Sequence, residues 1–586
     1  MVTCFVLAQT RRNKPDVTLT RLALQLIVAG TVSSAALACQ SPAQLPLDLI
    51  VRGGEVLDGT GTPGRRVDVG IRADTVVDVG DLSQAMATRI IEATGLVVAP
   101  GFIDMHSHSD FPLLVDGRAL GKITQGVTTE LLGENESPGP AVGMIRPEVE
   151  KALDIYGLKL DWRTLGEYFG RLERQRMAVN VVSLVGSGQV RAAVVGYDRR
   201  APTSAELSRM KELVDGAMRD GAVGLSSGLI YAPNSYATTE ELVELAKVAA
   251  QHGGIYVSHI RNEVDGVIDA LREAARIGRE AGLPVEVLHL KRNGVRLDDA
   301  AQTTGIREVI AVIEEAQRDG LKMAANVYPY AASQTTLNAN LLPAWSVEGG
   351  RERLVARLRD PRTRAKIRAE VQAVLALPIS GRRADTVMLA RTTYEPHRRY
   401  QGRRITEIAE HMKREPADAL LEVIDKSEGL ASGIYFGMRE EDVAFLLMQP
   451  WTTIGSDGSA LAPTGILARS HPHPRSYGTF ARILGRYVRE EHVLTLPDAI
   501  RKMTGLPAER LGLTDRGVIQ VGKKADLVIF DPMTIADRAT FEEPHQLSTG
   551  VEWLLVNGTV VIEEGEPTGA LPGRVLRHRS ATAPTN

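Results

Sequence analysis

Gly101-Phe-Ile-Asp-Met-His-Ser-His108 is the stretch that decides the fold, because it places two histidines at the end of a short apolar strand. Residues two apart in a strand point to the same side, so His106 and His108 can face one common position. Such a pair can share a metal ion. Alone it is a weak signal, since the 586 residues include 12 histidines. Its meaning depends on the strands that follow.

Eight strand-like apolar runs alternate with amphipathic helical stretches, which predicts βα units and a parallel sheet. The runs are 101–106, 127–132, 181–185, 222–226, 255–259, 285–289, 323–328 and 452–456. Eight such strands close a (β/α)8 barrel, with catalytic groups at the C-terminal strand ends. We therefore predict an α/β protein with a barrel over 101–504. The interval 332–449 is too long for one loop and predicts an inserted helical subdomain.

Short, turn-rich strands flank the barrel on both sides. They predict one small β-sandwich made from residues 46–100 and 505–575 together. The turn Gly59-Thr-Gly-Thr-Pro-Gly64 has the GxGxxG spacing, but a strand follows it instead of the helix that a dinucleotide site needs. We interpret it as a hairpin turn.

Composition excludes some classes of protein. Hydrophobic residues make up 44% and charged residues 24%, and the net charge is -3, so we expect a globular chain that does not bind nucleic acid.

The N-terminal segment has the pattern of an export signal. Basic residues precede an apolar run ending Ala36-Leu-Ala-Cys39, which predicts an export signal over 1–38. Cleavage would leave Cys39 as the only cysteine, where a lipid could anchor the protein in the bacterial periplasm or cell envelope. A cytosolic chain and secretion without a lipid remain open.

Three more residues at strand ends have side chains that can bind a metal ion or transfer a proton. His259 ends the fifth predicted strand, His289 ends the sixth, and Asp457 directly follows the eighth. Together with the first pair, they predict a metal site at the barrel mouth. A carboxylate there can bind metal and take a proton from water, so Asp457 is the predicted general base.

This order of residues resembles the amidohydrolase superfamily, and further segments are similar to its N-acyl-D-amino-acid deacylases. Those segments are Gly126-Val-Thr-Thr, Gly221-Ala-Val-Gly-Leu-Ser-Ser-Gly-Leu-Ile-Tyr231, Tyr256-Val-Ser-His-Ile-Arg, His289-Leu-Lys, Val327-Tyr-Pro-Tyr, His473-Pro-Arg-Ser-Tyr-Gly-Thr-Phe and Lys502-Met-Thr-Gly-Leu-Pro-Ala. The resemblance implies one or two Zn2+ ions and hydrolysis of the amide bond of small N-acyl-D-amino acids. It also implies that Lys291, Tyr328 and Arg475 hold the substrate carboxylate, with Tyr231 nearby.

The sequence departs from this family after the second strand. The family has a cysteine ligand there, in a segment ending Gly-Asn-Cys-Gly, whereas this chain has Asn135 at that position. Glu134 and Glu136 flank it, and a carboxylate can also bind Zn2+. We expect Glu134 to join the four histidines and Asp457 as a metal ligand, and prefer it to Glu136 because it lies nearer the strand end.

The sequence leaves two alternative functions open and argues against a third. Dihydroorotases and hydantoinases have a similar layout but use a carboxylated lysine at strand four, where 222–226 has none, so cyclic-amide hydrolysis is the alternative. A non-catalytic barrel lipoprotein is the second alternative, since the cysteine is missing. Gly224-Leu-Ser-Ser-Gly228 matches GxSxG, but Pro233 prevents the helix that a serine nucleophile elbow requires.

Overall fold

The computed structural model describes residues 46–294 and 302–578. Seven strands come first: β1 (Leu47–Arg52), β2 (Glu55–Val56), β3 (Arg65–Arg66), β4 (Asp68–Arg72), β5 (Thr75–Gly80), β6 (Ala87–Glu92) and β7 (Val97–Pro100). β2 and β3 pair antiparallel on either side of the glycine-rich turn at 59–64. The turn therefore joins two strands, in agreement with the hairpin interpretation.

The barrel follows, with its strands buried on both faces. Its first seven strand positions are β8 (Phe102–Asp104), β9 (Val127–Leu132), β10 with β11 (Asn180–Ser183 and Val185–Gly186), β12 (Gly224–Gly228), β13 (Ile255–His259), β14 (Val285–Val287) and β15 (Met323–Val327). The helices are α1 (Pro112–Val115), α2 (Leu120–Ile123), α3 (Arg146–Asp154), α4 (Leu165–Gln175), α5 (Ser187–Val194), α6 (Ser204–Asp220), α7 (Thr239–Gln251), α8 (Val267–Ala281) and α9 (Gln302–Arg318). Such continuous burial is typical of parallel sheets covered by helices.

Local sequence sets the ends of the barrel helices, and α6 illustrates how. The Thr203 hydroxyl accepts a hydrogen bond from the Glu206 backbone, and the Glu206 side chain accepts one from the Thr203 backbone. This capping box satisfies backbone donors that the first helical turn leaves free. Gly221 ends α6 in the left-handed conformation, which glycine adopts without steric cost. The chain can then turn directly into β12.

An insertion separates the seventh and eighth barrel strands and has its own hydrophobic core. It contains β16 (Ser333–Thr336), α10 (Leu337–Leu341), α11 (Gly350–Arg359), α12 (Pro361–Leu375), β17 (Val387–Arg391), α13 (Ile405–Met412), α14 (Pro416–Lys426), β18 (Ser432–Tyr435) and α15 (Glu440–Leu447). Three of these elements form an antiparallel sheet in the order β16-β18-β17. The insertion is therefore helical, as predicted, but built around a sheet that the sequence pattern did not reveal.

The eighth strand, β19 (Thr452–Ile454), closes the barrel. It pairs in parallel with β15, and on its other side the Met105 amide donates to the Ile454 carbonyl at 3.1 Å. Beyond the strand, the Asp457 amide donates to the His106 carbonyl at 2.8 Å. The helices that follow are α16 (Arg475–Arg482), continued by a π-helix at Ile483–Glu490, then α17 (Leu496–Met503) and α18 (Gly505–Leu511).

The last strands return to the first ones. They are β20 (Leu527–Phe530), β21 (Val551–Val556), β22 (Thr559–Glu563) and β23 (Glu566–Pro567). β20 pairs antiparallel with β7 inside a seven-stranded sheet of order β23-β22-β21-β20-β7-β2-β3. A four-stranded sheet of order β5-β4-β1-β6 packs on it through a shared apolar core. The sandwich thus combines segments from both sides of the barrel, as expected.

The predicted export segment 1–38 and Cys39 lie outside the described residues. Among the helices at 46–294 and 302–578, none combines the length and apolar character needed to cross a membrane.

Candidate active site

The ends of the first, second and eighth barrel strands bring together four ionisable side chains, His106, His108, Glu134 and Asp457, which we call the first cluster. Glu134 Oε2 lies 2.7 Å from His106 Nε2 and 3.1 Å from His108 Nε2. Asp457 Oδ1 lies 3.1 Å from His108 Nε2. One ligand atom from each residue lies within 4.8 Å of all the others, so the four can surround a single cation.

Glu134 also belongs to a second cluster, formed with His259 and His289 at the ends of the fifth and sixth strands. Its other oxygen, Oε1, lies 2.9 Å from His259 Nδ1. That nitrogen in turn lies 3.0 Å from His289 Nε2. The two carboxylate oxygens of Glu134 therefore face different histidine sets, so one oxygen is available to each cluster.

Three residues at these strand ends have a left-handed backbone. The φ angles are +38° for His289, +50° for Asp457 and +53° for Asn135. Non-glycine residues rarely adopt this conformation, which costs of order 1–3 kcal/mol and is concentrated at functional sites. Each residue lies where the chain leaves a barrel strand, so the backbone is bent at the points where the side chains enter the mouth.

The structure distinguishes the three residues that could replace the family cysteine. The Asn135 side chain turns away from the histidines, and its Oδ1 accepts a hydrogen bond from the Gly228 amide at 3.2 Å. Glu136 is exposed and lies outside both clusters. Glu134 is buried and contacts His106, His108 and His259. Of the three side chains, only that of Glu134 reaches the histidines, and its role as a metal ligand stays a prediction.

Neighbouring charges hold Asp457 ionised. Burial alone would raise the pKa of the Asp457 carboxyl, but Arg475 and the first-cluster histidines offset it and lower the pKa well below the usual range. Arg475 Nη1 forms an ion pair with Asp457 Oδ2 at 2.8 Å. A carboxylate that stays unprotonated near neutral pH is able to accept a proton.

The histidines have different electrostatic environments. Burial and the neighbouring Lys291 ammonium lower the pKa of His289 to about 3, so its imidazole is neutral and can donate a lone pair. Partial desolvation opposes the charged form of His108, whose side chain is 44% exposed, but hydrogen bonds to Asp457 and Glu134 outweigh it and raise the pKa of His108 to about 10.

The donor set fits zinc. Imidazole nitrogens and carboxylate oxygens are common ligands of Zn2+. The close approach of His259 Nδ1 and His289 Nε2 beside a carboxylate oxygen directs two nitrogens and an oxygen at one point. Without a cation there, those two nitrogens would satisfy each other at most through one shared proton.

Lys291, predicted to contact the substrate carboxylate, lies beside the second cluster and is buried. Its Nζ donates to Glu263 Oε1 at 2.6 Å and lies 2.8 Å from His289 Nδ1. It also lies 5.7 Å from the ring centroid of Tyr328. The ammonium is thus positioned between the metal ligands and an aromatic wall.

Arg475 is the second predicted carboxylate-binding cation, and it is not a surface residue. Only 3% of it is exposed, and its Cζ lies 4.8 Å from the Tyr328 ring centroid. Nη2 donates to the Gln334 carbonyl at 3.3 Å. In this structure Nη1 is paired with Asp457, so the guanidinium also sets the charge state of the predicted base.

Tyr231 lies on the other side of the second cluster, with its ring centroid 5.1 Å from that of His259. Its hydroxyl forms a hydrogen bond with Thr335 Oγ1 at 2.8 Å. The Tyr328 hydroxyl contacts Met438 Sδ at 3.8 Å. Thr335 lies on β16, so the insertion contributes directly to the wall of the site. The structure brings together all ten predicted site residues.

Sequence reasoning missed Glu263, Gln334 and a buried network beside the first cluster. Glu263 lies four residues after His259 in a loop, and no strand-end pattern marks it. In the network, Lys122 Nζ donates to Asp104 Oδ2 at 2.7 Å and lies 3.4 Å from Glu130 Oε2. Asp104 also accepts from the Ser456 amide, which joins the first strand to the eighth. Three buried charged residues carry no signal of their own in a sequence.

Curated relatives match this chain over nearly its whole length. It is 36% identical to D-aminoacylase of Alcaligenes xylosoxydans xylosoxydans over 547 residues, which covers 92% of this chain and 100% of that protein. It is also 36% identical to an N-acyl-D-glutamate deacylase of the same organism, with 92% and 98% covered.

Solved structures show the same architecture. An N-acyl-D-glutamate deacylase from Bordetella bronchiseptica, complexed with zinc and a phosphonate that mimics the tetrahedral intermediate, matches with a TM-score of 0.76 and 34% identity, covering 91% of this chain and 100% of that one. A D-aminoacylase crystal structure matches with a TM-score of 0.75 and 36% identity over 91% and 100%. The model of the amidohydrolase family matches residues 89–562. The chain belongs to the amidohydrolase family.

Proposed function

We propose that this protein hydrolyses the amide bond of N-acyl-D-amino acids and releases a carboxylate and a free amino acid. The observation that carries the proposal is the convergence of six residues with nitrogen or oxygen donors on two adjoining positions, beside the buried cations Lys291 and Arg475. Relatives named D-aminoacylase, N-acyl-D-glutamate deacylase and N-acyl-D-aspartate deacylase, at 35–36% identity, support this substrate class.

The residues at each position suit one or two zinc ions. His259, His289 and Glu134 would hold an ion at one position, and His106, His108 and Asp457 would complete the other with the second oxygen of Glu134. Bound zinc supplies Lewis-acid polarisation of the acyl carbonyl and acidifies water.

The chain's own residues position the substrate and move the proton. Lys291 and Arg475 offer donors to the carboxylate of the substrate, with Tyr328 between them as an apolar wall. Asp457 accepts a proton from the water that adds to the acyl carbon. When the C–N bond breaks, Asp457 returns this proton to the leaving amine. The second carboxylate oxygen of Asp457 stays paired with Arg475, which keeps the base oriented.

A substrate screen with metal analysis tests the proposal. Purified protein should contain zinc and release amino acid from N-acyl-D-amino acids faster than from their L enantiomers. Chelation should abolish the activity, and added zinc should restore it. Turnover confined to hydantoins or dihydropyrimidines would favour the cyclic-amide alternative. A zinc-loaded protein inactive on every substrate would favour a non-catalytic barrel.

The replacement of the family cysteine can be tested separately. Glu134→Ala removes oxygens from both clusters, so zinc retention and activity should both fall. Glu136→Ala and Asn135→Ala should retain zinc, because neither side chain reaches the histidines. Equal zinc retention in the two glutamate variants would contradict the role of Glu134 and leave a site of histidines and Asp457 alone.

We also propose export with lipid attachment at Cys39, on the evidence of the sequence alone. The run ending at Ala38 has the small residues that a signal peptidase accepts. Mass spectrometry of the mature protein should find Cys39 at the N-terminus and modified by lipid. An unmodified Cys39 would indicate export without an anchor, and an intact Met1 would rule out both.

A further inference from the structure

Glu263 lies behind the second cluster, on the side away from Glu134. Its Oε1 is 3.1 Å from His289 Nδ1 and 3.7 Å from His259 Nε2. These are the two ring nitrogens that do not face the point where His259 Nδ1, His289 Nε2 and Glu134 Oε1 converge. His259 Nε2 is buried and has no hydrogen-bond partner among the described residues. One carboxylate oxygen is therefore directed at the rear of both imidazoles.

The protonation of an imidazole explains why this position matters. A neutral imidazole offers a lone pair on one nitrogen only, and the other nitrogen carries the proton. If His259 Nδ1 and His289 Nε2 are to face a cation, the protons must sit on His259 Nε2 and His289 Nδ1. The proton on His289 Nδ1 lies within hydrogen-bond distance of Glu263 Oε1, and an ionised carboxylate only accepts hydrogen bonds. The proton on His259 Nε2 lies too far from this oxygen, at 3.7 Å between the heavy atoms, for a direct hydrogen bond, so the carboxylate acts on it through its charge.

Lys291 is a competitor for one of these nitrogens. Its Nζ lies 2.8 Å from His289 Nδ1, and if it donated there, the imidazole proton would move to Nε2 and block the face toward the cation. Glu263 offers the ammonium a better acceptor at 2.6 Å. Asn293 holds Glu263 in place, since its backbone amide donates to the Glu263 carbonyl at 2.7 Å and its side chain donates to Oε2 at 3.3 Å.

We propose that Glu263 is a positioning residue that fixes the metal-binding tautomer of His289 by a hydrogen bond, favours that of His259 through its charge and, through the same oxygen, holds Lys291 for the substrate carboxylate. This rests on the proposed function only for the substrate role of Lys291. The effect on metal binding follows from the histidine geometry, whatever the substrate.

Zinc affinity of Glu263→Gln, measured by competition with a chromogenic chelator, tests the proposal. Carboxylates that orient ligating histidines typically account for 10- to 100-fold in metal affinity, and we expect a loss of about that size. Glu273→Gln is the matched control, because Glu273 is similarly buried, with 13% of its side chain exposed against 10% for Glu263, but is paired with Arg261. Its affinity should stay within about twofold of wild type. An affinity for Glu263→Gln equal to that of the control would overturn the proposal.

Two further variants separate direct from indirect effects. Lys291→Met should keep zinc affinity and raise KM, because Glu263 still faces both histidines. If Lys291→Met loses as much zinc affinity as Glu263→Gln, then Glu263 acts through the lysine and the proposal is wrong.

Glu263→Asp keeps the charge with a shorter reach, so its zinc affinity should lie between those of wild type and Glu263→Gln. Should Glu263→Gln fail to fold, wild-type affinity in Glu263→Asp would overturn the proposal. Zinc affinity is measured without substrate, so this result can be interpreted even if the substrate screen fails.

Discussion

At the scale of single residues, Asp457 combines a contact with His108 and an ion pair with Arg475. Asp457→Asn keeps the size of the side chain but cannot take a proton from water. We expect turnover to fall about 10²-fold or more while zinc at the second cluster, which does not include Asp457, and the fold change little. Steady-state kinetics with metal analysis measure this. Glu136→Gln, at an exposed carboxylate outside the clusters, should retain activity within about twofold of wild type. Near-normal turnover of Asp457→Asn would remove Asp457 as the base.

His108 should make zinc binding depend on pH. Its pKa is raised to about 10 in the metal-free protein, so near pH 7 the imidazole is protonated and must lose this proton to bind zinc. Zinc affinity at the first cluster should therefore weaken as pH falls and rise as pH increases toward about 10. Calorimetry in two buffers of different ionisation enthalpy counts the released protons. His108→Gln should release fewer, and equal release from both proteins would contradict the expectation.

The sequence predicted some site residues better than others, for physical reasons. His259 and Asp457 could be predicted because parallel barrel strands direct their C-terminal ends to one mouth. Glu134 was preferred only weakly to Glu136, since the choice depends on how the chain turns around the left-handed Asn135. Glu263 was missed because a loop conformation, and not a strand period, brings it behind the histidines.

At the scale of elements, Lys122 on α2 links the first two barrel strands. Its side chain and that of Asp104 are fully buried, and Glu130 is buried as well. Lys122→Met would leave two buried carboxylates without their cation, and removing one partner of a buried pair typically costs about 3–5 kcal/mol. Urea unfolding of the metal-free protein measures the change in stability. Lys211→Met is the control, because its partly exposed pair with Glu244 should be worth less than about 1 kcal/mol. Similar losses in both variants would contradict a structural role for the buried network.

The elements also show where sequence periodicity fails. The predicted strands 127–132 and 255–259 coincide with β9 and β13, because buried parallel strands are continuous apolar runs. The sheet in the insertion was not predicted, since β16 is the polar segment Ser-Gln-Thr-Thr. Its partner β18 lies about a hundred residues later in the chain, so no hairpin turn marks the pairing.

At the scale of the whole molecule, the sandwich joins the chain segment before the barrel to the segment after it, so each depends on the other for its fold. β20 lies between β7 and β21 in the seven-stranded sheet, and its four residues are fully buried. Burial of four such apolar side chains contributes roughly 6–12 kcal/mol, at about 1.5–3 kcal/mol each. The net stability of a native protein is itself only about 5–15 kcal/mol. Loss of the last strands should therefore expose a face that the remaining chain cannot cover.

A chain ending at residue 513 tests this dependence, because it keeps α18 below the barrel and removes β20–β23. We expect it to be insoluble, or soluble without cooperative unfolding and without bound zinc, since β7 would lose its neighbour β20 and become an edge strand. Co-expression with a separate fragment starting at residue 514 should restore solubility, zinc content and activity, because β20 can then pair with β7 from a second chain. A truncated chain that unfolds cooperatively and retains zinc without the fragment would show that the barrel folds independently, and that the sandwich serves some purpose other than stability.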